Sequence, residues 1–309
     1  MEMGLLSRLY RRITAKESLV SYGNDYADKK FYVIRVDYNM AGILAIVKST
    51  MSHIMYAVEH KYIPVIDLLN CECQYIDHDY PENVWDTYFK QPYGYNLKDI
   101  SCAKNVIISK NIQVPKRKYN ISVNTLYGNK TLLNYYRQFY QKYIHFNIET
   151  QKYVESKYNQ IIPSNNKILG VLSRGTDYLD CHPKGHPIQP DPKEIIAKIY
   201  EITQKKDYQY IFLATEDQRI YDLFKNEFKE RLLFNKQKLL QKMNGINYIS
   251  ELDKTHGLSQ KEDVLNYLTS LYILSRCNAF IGGCTAGTLG AYMMSNMYEY
   301  EYFWNLGTY

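Results

Sequence analysis

The feature that most constrains this chain is an alternation in its second half. Wholly apolar runs at 168–172, 210–214 and 279–281 are each followed by a polar loop, and stretches with helical spacing fill 192–203, 217–230, 263–276 and 286–294. Short apolar runs bounded by turn residues read as buried strands. Strands that alternate with helices are joined by right-handed crossovers, which build a parallel sheet covered on both faces. The second half is therefore expected as a doubly wound α/β domain.

The first half opens with the same grammar. Residues 31–37 predict a buried strand, Asn39-Met-Ala-Gly42 a loop, 43–59 a helix and 63–67 a second strand, with Pro64 tolerable only near its start. This is a βαβ unit. A short helix is expected over 82–89, a strand over 106–108, and a Tyr-rich helical stretch over 132–161. Pro163-Ser-Asn-Asn-Lys167 breaks that stretch with turn residues, and the domain boundary is placed there. The expected division is an extension over 1–28, an α/β domain over 29–165 and a second over 166–309. A length of 309 residues suits two domains.

The net charge of +6 suits an anionic ligand but is dispersed, which argues against nucleic acid as a partner. The 6 cysteines include no paired Cys-x-x-Cys and read as reduced thiols of a cytoplasmic protein. No apolar stretch approaches the ~18 residues of a membrane span. Leu5, Leu6, Leu9, Tyr10 and Ile13 share one helical face, with Arg8, Arg11, Arg12 and Lys16 mostly elsewhere. That pattern fits a helix packed on its own domain, or a basic amphipathic helix resting peripherally on a membrane. The 33 tyrosines reflect residue usage or a sugar-stacking surface, and composition does not separate the two.

In open α/β sheets, ligands bind beyond the carboxyl ends of the strands. Three loops fall there. Ser173-Arg-Gly-Thr-Asp-Tyr178 follows the first strand. Arg174 can hold a diphosphate through two parallel charged hydrogen bonds, with Asp177 orienting it, or the two form an ordinary loop ion pair. Asp180, His182 and His186 lie just beyond, in a segment stiffened by Pro183, Pro187, Pro190 and Pro192. Thr215-Glu-Asp217 follows the next strand, where Thr215 or Asp217 either caps the following helix or contacts a nucleoside. Gly282-Gly-Cys-Thr-Ala-Gly-Thr288 joins a strand to a helix. Gly283, Thr285, Gly287 and Thr288 can make a phosphate site from amides and hydroxyls, or serve close packing.

These loops, in this order, resemble the fucosyltransferase superfamily, which includes the α1,6-, nodulation-factor, bacterial α1,2- and protein O-fucosyltransferases. Its first motif reads His-x-Arg-Arg-x-Asp. Here Leu172-Ser-Arg174-Gly-Thr-Asp177 keeps the first Arg and the Asp and carries Leu172 and Gly175 at the other positions. His186-Pro-Ile188 and Ile211-Phe-Leu-Ala-Thr-Glu-Asp217 are similar to further motifs, as is Leu271-Tyr-Ile-Leu-Ser-Arg-Cys-Asn-Ala-Phe-Ile281. Thr285 matches one Ser of the family's phosphate loop. Asn39-Met-Ala-Gly42 and Asn83-Val-Trp-Asp-Thr-Tyr-Phe89 are similar to a bacterial branch. The guanine-reading Asp of the family aligns with Ser270, and its catalytic Glu with His182.

The resemblance implies a GT-B fold, two Rossmann-like doubly wound domains facing a cleft. It implies an inverting transfer with no cofactor and no obligatory metal, from a sugar-nucleotide donor, GDP-fucose favoured, to a glycan acceptor. A role in surface polysaccharide biosynthesis follows by analogy. Arg174 would stabilise the departing diphosphate, and His182 or Asp180 would be the base. A GT-B-like protein that binds nucleotide or glycan without catalysis is the alternative, as is a donor other than GDP.

Overall fold

The computed structural model describes residues 18–36, 42–70, 75, 82–109, 121–241 and 260–309. The helix expected over the first residues, the cysteines Cys71 and Cys73, and most of the loop Asn39-Met-Ala-Gly42 lie outside the described residues. The described residues fall into two compact units. One is drawn from Met1–Ile121 and Lys142–Asn147, the other from Ser122–Gln141 and Ile148–Tyr309.

The first unit holds strands β1 (Ser18–Val20), β2 (Phe31–Ile34), β3 (Ile63–Ile66) and β4 (Val106–Ile108) in the order β1-β4-β2-β3. β2 runs parallel to both neighbours, with Val33 opposite Val65 and Ile108. β1 lies antiparallel on β4, so the extension expected over 1–28 contributes an edge strand from Ser18 onward. Every residue of β2 is buried, as a central parallel strand covered on both faces requires. Helix α1 (Ile43–Glu59) makes the crossover to β3 and buries Ile46, Val47, Met51 and Ile54 at helical spacing. Two short helices, α2 (Val84–Tyr88) and α3 (Leu97–Ile100), follow, each started by an Asn side chain, Asn83 and Asn96, that accepts a backbone N–H of the first turn.

Next come α4 (Thr125–Gly128), α5 (Lys130–Tyr143) and α6 (Ile148–Ile161). The continuous helical stretch predicted over 132–161 is two helices, parted at 144–147, where Phe146 forms an antiparallel bridge with Phe89. The units also divide earlier than the turn at 163–167. α6 packs on the long helix α10 (Gln260–Leu274), far away in sequence, and so joins the second unit. Turn residues mark where elements end, whereas unit membership is set by such non-local packing.

The second unit holds β5 (Ile168–Leu172), β6 (Tyr210–Ala214), β7 (Leu232–Phe234), β8 (Ala279–Gly283) and β9 (Tyr300–Trp304) in the order β7-β6-β5-β8-β9, all parallel. Helices α7 (Thr176–Cys181), α8 (Pro192–Thr203), α9 (Gln218–Phe228), α10 and α11 (Ala286–Met294) connect them. The chain winds from β5 outward to β7, then returns to the other side of β5 with β8. The order therefore reverses between β5 and β8, which makes their carboxyl ends the topological switch point. Leu169, Val171, Ile195, Ile199, Ile211, Leu213, Phe224 and Ile281 form the core beneath that edge.

Candidate functional site at the carboxyl edge of the second sheet

The loops leaving β5 and β6 are held together by the side chains of Arg174, Glu216 and Asp217. Arg174 leaves the end of β5, where its Nη2 donates to Asp177 Oδ1 at 2.8 Å and its Nη1 lies 3.2 Å from Glu216 Oε2. Its guanidinium also sits 5.1 Å from the centre of the Tyr178 ring. Burial opposes the charge, but the carboxylates of Glu216 and Asp177 outweigh it and hold the Arg174 pKa above the ordinary arginine value. The side chain keeps 23% exposure, so its remaining N–H groups can meet a ligand.

Glu216 ties the first two loops together. Its Oε1 accepts the backbone N–H of Gly175 at 2.8 Å and the Thr176 hydroxyl at 3.0 Å. Asp217, fully buried, caps α9 by accepting the N–H of Arg219 at 2.8 Å and accepts the Thr176 N–H at 2.8 Å. Thr176 has φ +39°, a left-handed backbone that strains a β-branched residue and persists because these contacts over-determine it. Gly175 is required by space, since a Cβ there would stand 2.4 Å from Asp217 Cβ and Oδ2. The second arginine of the related motif therefore has no room in this loop.

Arg219 and Asp180 form a separate clamp. Arg219 Nη1 and Nη2 each donate to Asp180 at 3.0 Å, while Nε and Nη2 donate to Asp217 at 3.0 and 2.5 Å. Both Asp180 oxygens are committed to that bidentate pair. His182 ends α7 with φ +47°, is exposed, and has its ring 4.8 Å from that of Tyr309. His186 Nδ1 lies 3.3 Å from the Tyr178 hydroxyl. Thr215 is buried, its hydroxyl accepting the N–H of Asp217 at 3.2 Å.

The third loop is a helix start. Thr285 caps α11 by accepting the Thr288 N–H at 3.1 Å, its hydroxyl lies 3.0 Å from that of Thr288, and the Thr288 hydroxyl donates to the Gly283 carbonyl at 2.5 Å. Both hydroxyls and the Thr288 amide are thus spent on the turn, and the groups left for an anion are the backbone amides of Ala286 and Gly287. Gly283 and Gly287 admit close approach. A Cβ on Gly283 would stand 2.0 Å from Gln189 Oε1, and one on Gly287 would stand 2.7 Å from the Tyr267 hydroxyl.

The structure brings Arg174, Asp177, Thr215 and Asp217 into one bonded network. It adds three residues that the sequence reading passes over: Glu216, Gln189 and Tyr267. Gln189 donates to the Pro187 and Cys284 carbonyls and so fastens the proline-rich segment to the glycine loop. Among the described residues no group of three or more His, Cys, Asp or Glu side chains is placed to hold a metal ion, and no helix is long and apolar enough to cross a membrane.

No protein-family profile matches the chain, and no curated protein matches it in sequence. Solved structures do. The fucosyltransferase NodZ from Bradyrhizobium is 15% identical over 86% of this chain and 94% of its own, with a TM-score of 0.51. The NodZ α-1,6-fucosyltransferase soaked with GDP-fucose gives the same TM-score over 93% of its length. POFUT1 in its apo form is 9% identical over 92% of this chain and 100% of its own, with a TM-score of 0.52. The shared feature is the fold. This chain shares the α/β architecture of these fucosyltransferase structures, with largely parallel sheets flanked by helices.

Proposed function

We propose that the chain is a sugar-nucleotide-dependent glycosyltransferase, moving a sugar, fucose favoured, from a nucleoside-diphosphate donor, GDP favoured, to a glycan acceptor. The observation that carries this reading is the constellation at the switch point, where Arg174, held from two sides by carboxylates, leaves N–H donors open beside a helix start with open amides. A neighbour in fold was soaked with GDP-fucose, which supports the choice of donor. In an inverting transfer, the departing diphosphate gains charge, and Arg174 with the α11 amides would stabilise it. The acceptor hydroxyl needs a base. Of the two candidates, His182 has an exposed ring, while Asp180 is occupied by Arg219, so the reading takes His182. It requires no metal, places the protein in the cytoplasm with the basic amphipathic pattern of residues 5–16 as the segment for a membrane surface, and makes surface polysaccharide the product class.

Thermal unfolding with GDP, UDP, CMP and ADP tests it first. A ligand at about a hundred times its dissociation constant adds about 2.7 kcal/mol. GDP is expected to raise the melting temperature most, and Arg174→Ala to lower GDP-fucose turnover by roughly a hundredfold. No stabilisation by any of the four would leave a binding protein of another kind as the better reading.

A further inference from the structure

We propose that Tyr267 is a donor-binding residue, its hydroxyl hydrogen-bonding the diphosphate beside the first turn of α11. This inference rests on the glycosyltransferase reading and goes beyond the three loops that suggested it, since Tyr267 stands on α10.

Three observations carry it. The first is position. The Tyr267 hydroxyl lies so close over Gly287 that a Cβ there would be 2.7 Å away, which puts the phenol against the first turn of α11. That turn presents backbone amides its own helix cannot use. The second is the company the ring keeps. Burial is the main influence on its ionisation, followed by the charges of Arg174 and Glu216, and Tyr267 in turn acts on Arg174. The hydroxyl therefore lies against the α11 amides and within the electrostatic reach of the Arg174 guanidinium, two groups that both favour an anion. The third is its lack of commitment. Glu216 and Thr285 nearby are hydrogen-bonded, but the Tyr267 hydroxyl has no hydrogen-bond partner among the described residues.

A half-buried phenol with these neighbours has one strong use. Its pKa is pushed up to about 12, mainly by burial, so it stays protonated at any working pH and acts as a neutral donor. A neutral donor suits this place. Two carboxylates already accompany Arg174, and a further donor adds a charge-assisted bond to a phosphoryl oxygen without another carboxylate to balance it.

Calorimetric titration of the full chain with GDP, and with inorganic pyrophosphate as a base-free probe, separates the outcomes. Tyr267→Phe keeps the ring and its packing, so the melting temperature without ligand should match that of the wild type. The variant is expected to bind both probes roughly tenfold more weakly, the scale of one hydrogen bond to a charged group. Wild-type affinity for both probes in Tyr267→Phe, alongside their loss in Arg174→Ala, would remove Tyr267 and leave the glycosyltransferase reading standing. Weakened GDP with unchanged pyrophosphate would place the hydroxyl on the nucleoside and overturn the inference. A wild-type chain that binds neither probe would overturn the inference and the functional reading together.

Discussion

Two arginines at the same sheet edge show how hydrogen-bond accounting separates a ligand group from a structural one. Arg219 directs Nε, Nη1 and Nη2 at Asp180 and Asp217 and has little left to offer. Arg174 makes one hydrogen bond and one longer ion contact, so most of its fork is open. Gly175 sits between them in sequence effect. Its missing side chain lets Asp217 reach the Thr176 amide at 2.8 Å. Gly175→Ala would drive a methyl into the Asp217 carboxylate and displace a buried charge from its partners. Overpacking alone costs about 1–3 kcal/mol. In a unit of this size each kcal/mol lowers the melting temperature by about 2–4 °C. A drop of several degrees by scanning calorimetry, with weaker GDP binding, is the expected result. A variant that melts with the wild type would show that the loop relaxes freely and that Asp217 does not fix it.

At the scale of elements, the central strands were legible because they are wholly apolar. β5 and β6 lie where the apolar runs place them, and β8 extends its run only by two glycines. The edge strand β9, Tyr-Glu-Tyr-Phe-Trp, mixes exposed and buried positions and carries no such signal, and β1 and β7, of 3 residues each, are too short to show a period. The site divides in the same way. Loops that follow strands can be read along the chain, so Arg174, Asp177 and Asp217 stand out. Glu216 and Tyr267 act across 41 residues or from another helix, and only the folded sheet shows it. Thr285 gives the clearest shift in role. The resemblance makes its hydroxyl a phosphate ligand, whereas the turn uses it as the cap of α11. Thr285→Ala should therefore cost about 1 kcal/mol of stability while Thr285→Ser keeps most of it. Equal melting temperatures for the Ala and Ser variants would mean that the cap contributes nothing.

At the scale of the whole molecule, the chain carries a net +6, but that excess is not gathered at this edge. Two guanidinium groups, Arg174 and Arg219, face four carboxylates, Asp177, Asp180, Glu216 and Asp217. The edge is thus a preformed ionic lattice, and its integrity should depend on pH. Burial alone would raise the Asp217 pKa, but hydrogen bonds from Arg219 and from the Thr176 and Arg219 amides more than reverse this and leave it lowered. A carboxylate whose folded pKa lies below its unfolded value of about 3.9 adds stability above that value. That contribution is lost as the pH falls through the lower, folded pKa. Asp217→Asn preserves the helix cap, since Asn serves that position as well as Asp, but removes the titrating charge. The wild type should be the more stable at pH 7, and the gap between the two should close as the pH is taken below about 4. Melting temperatures recorded from pH 7 down to acid decide the matter. If the two curves stay parallel, Asp217 does not link the edge to pH, and its ion pair with Arg219 would offset little more than the cost of burying it.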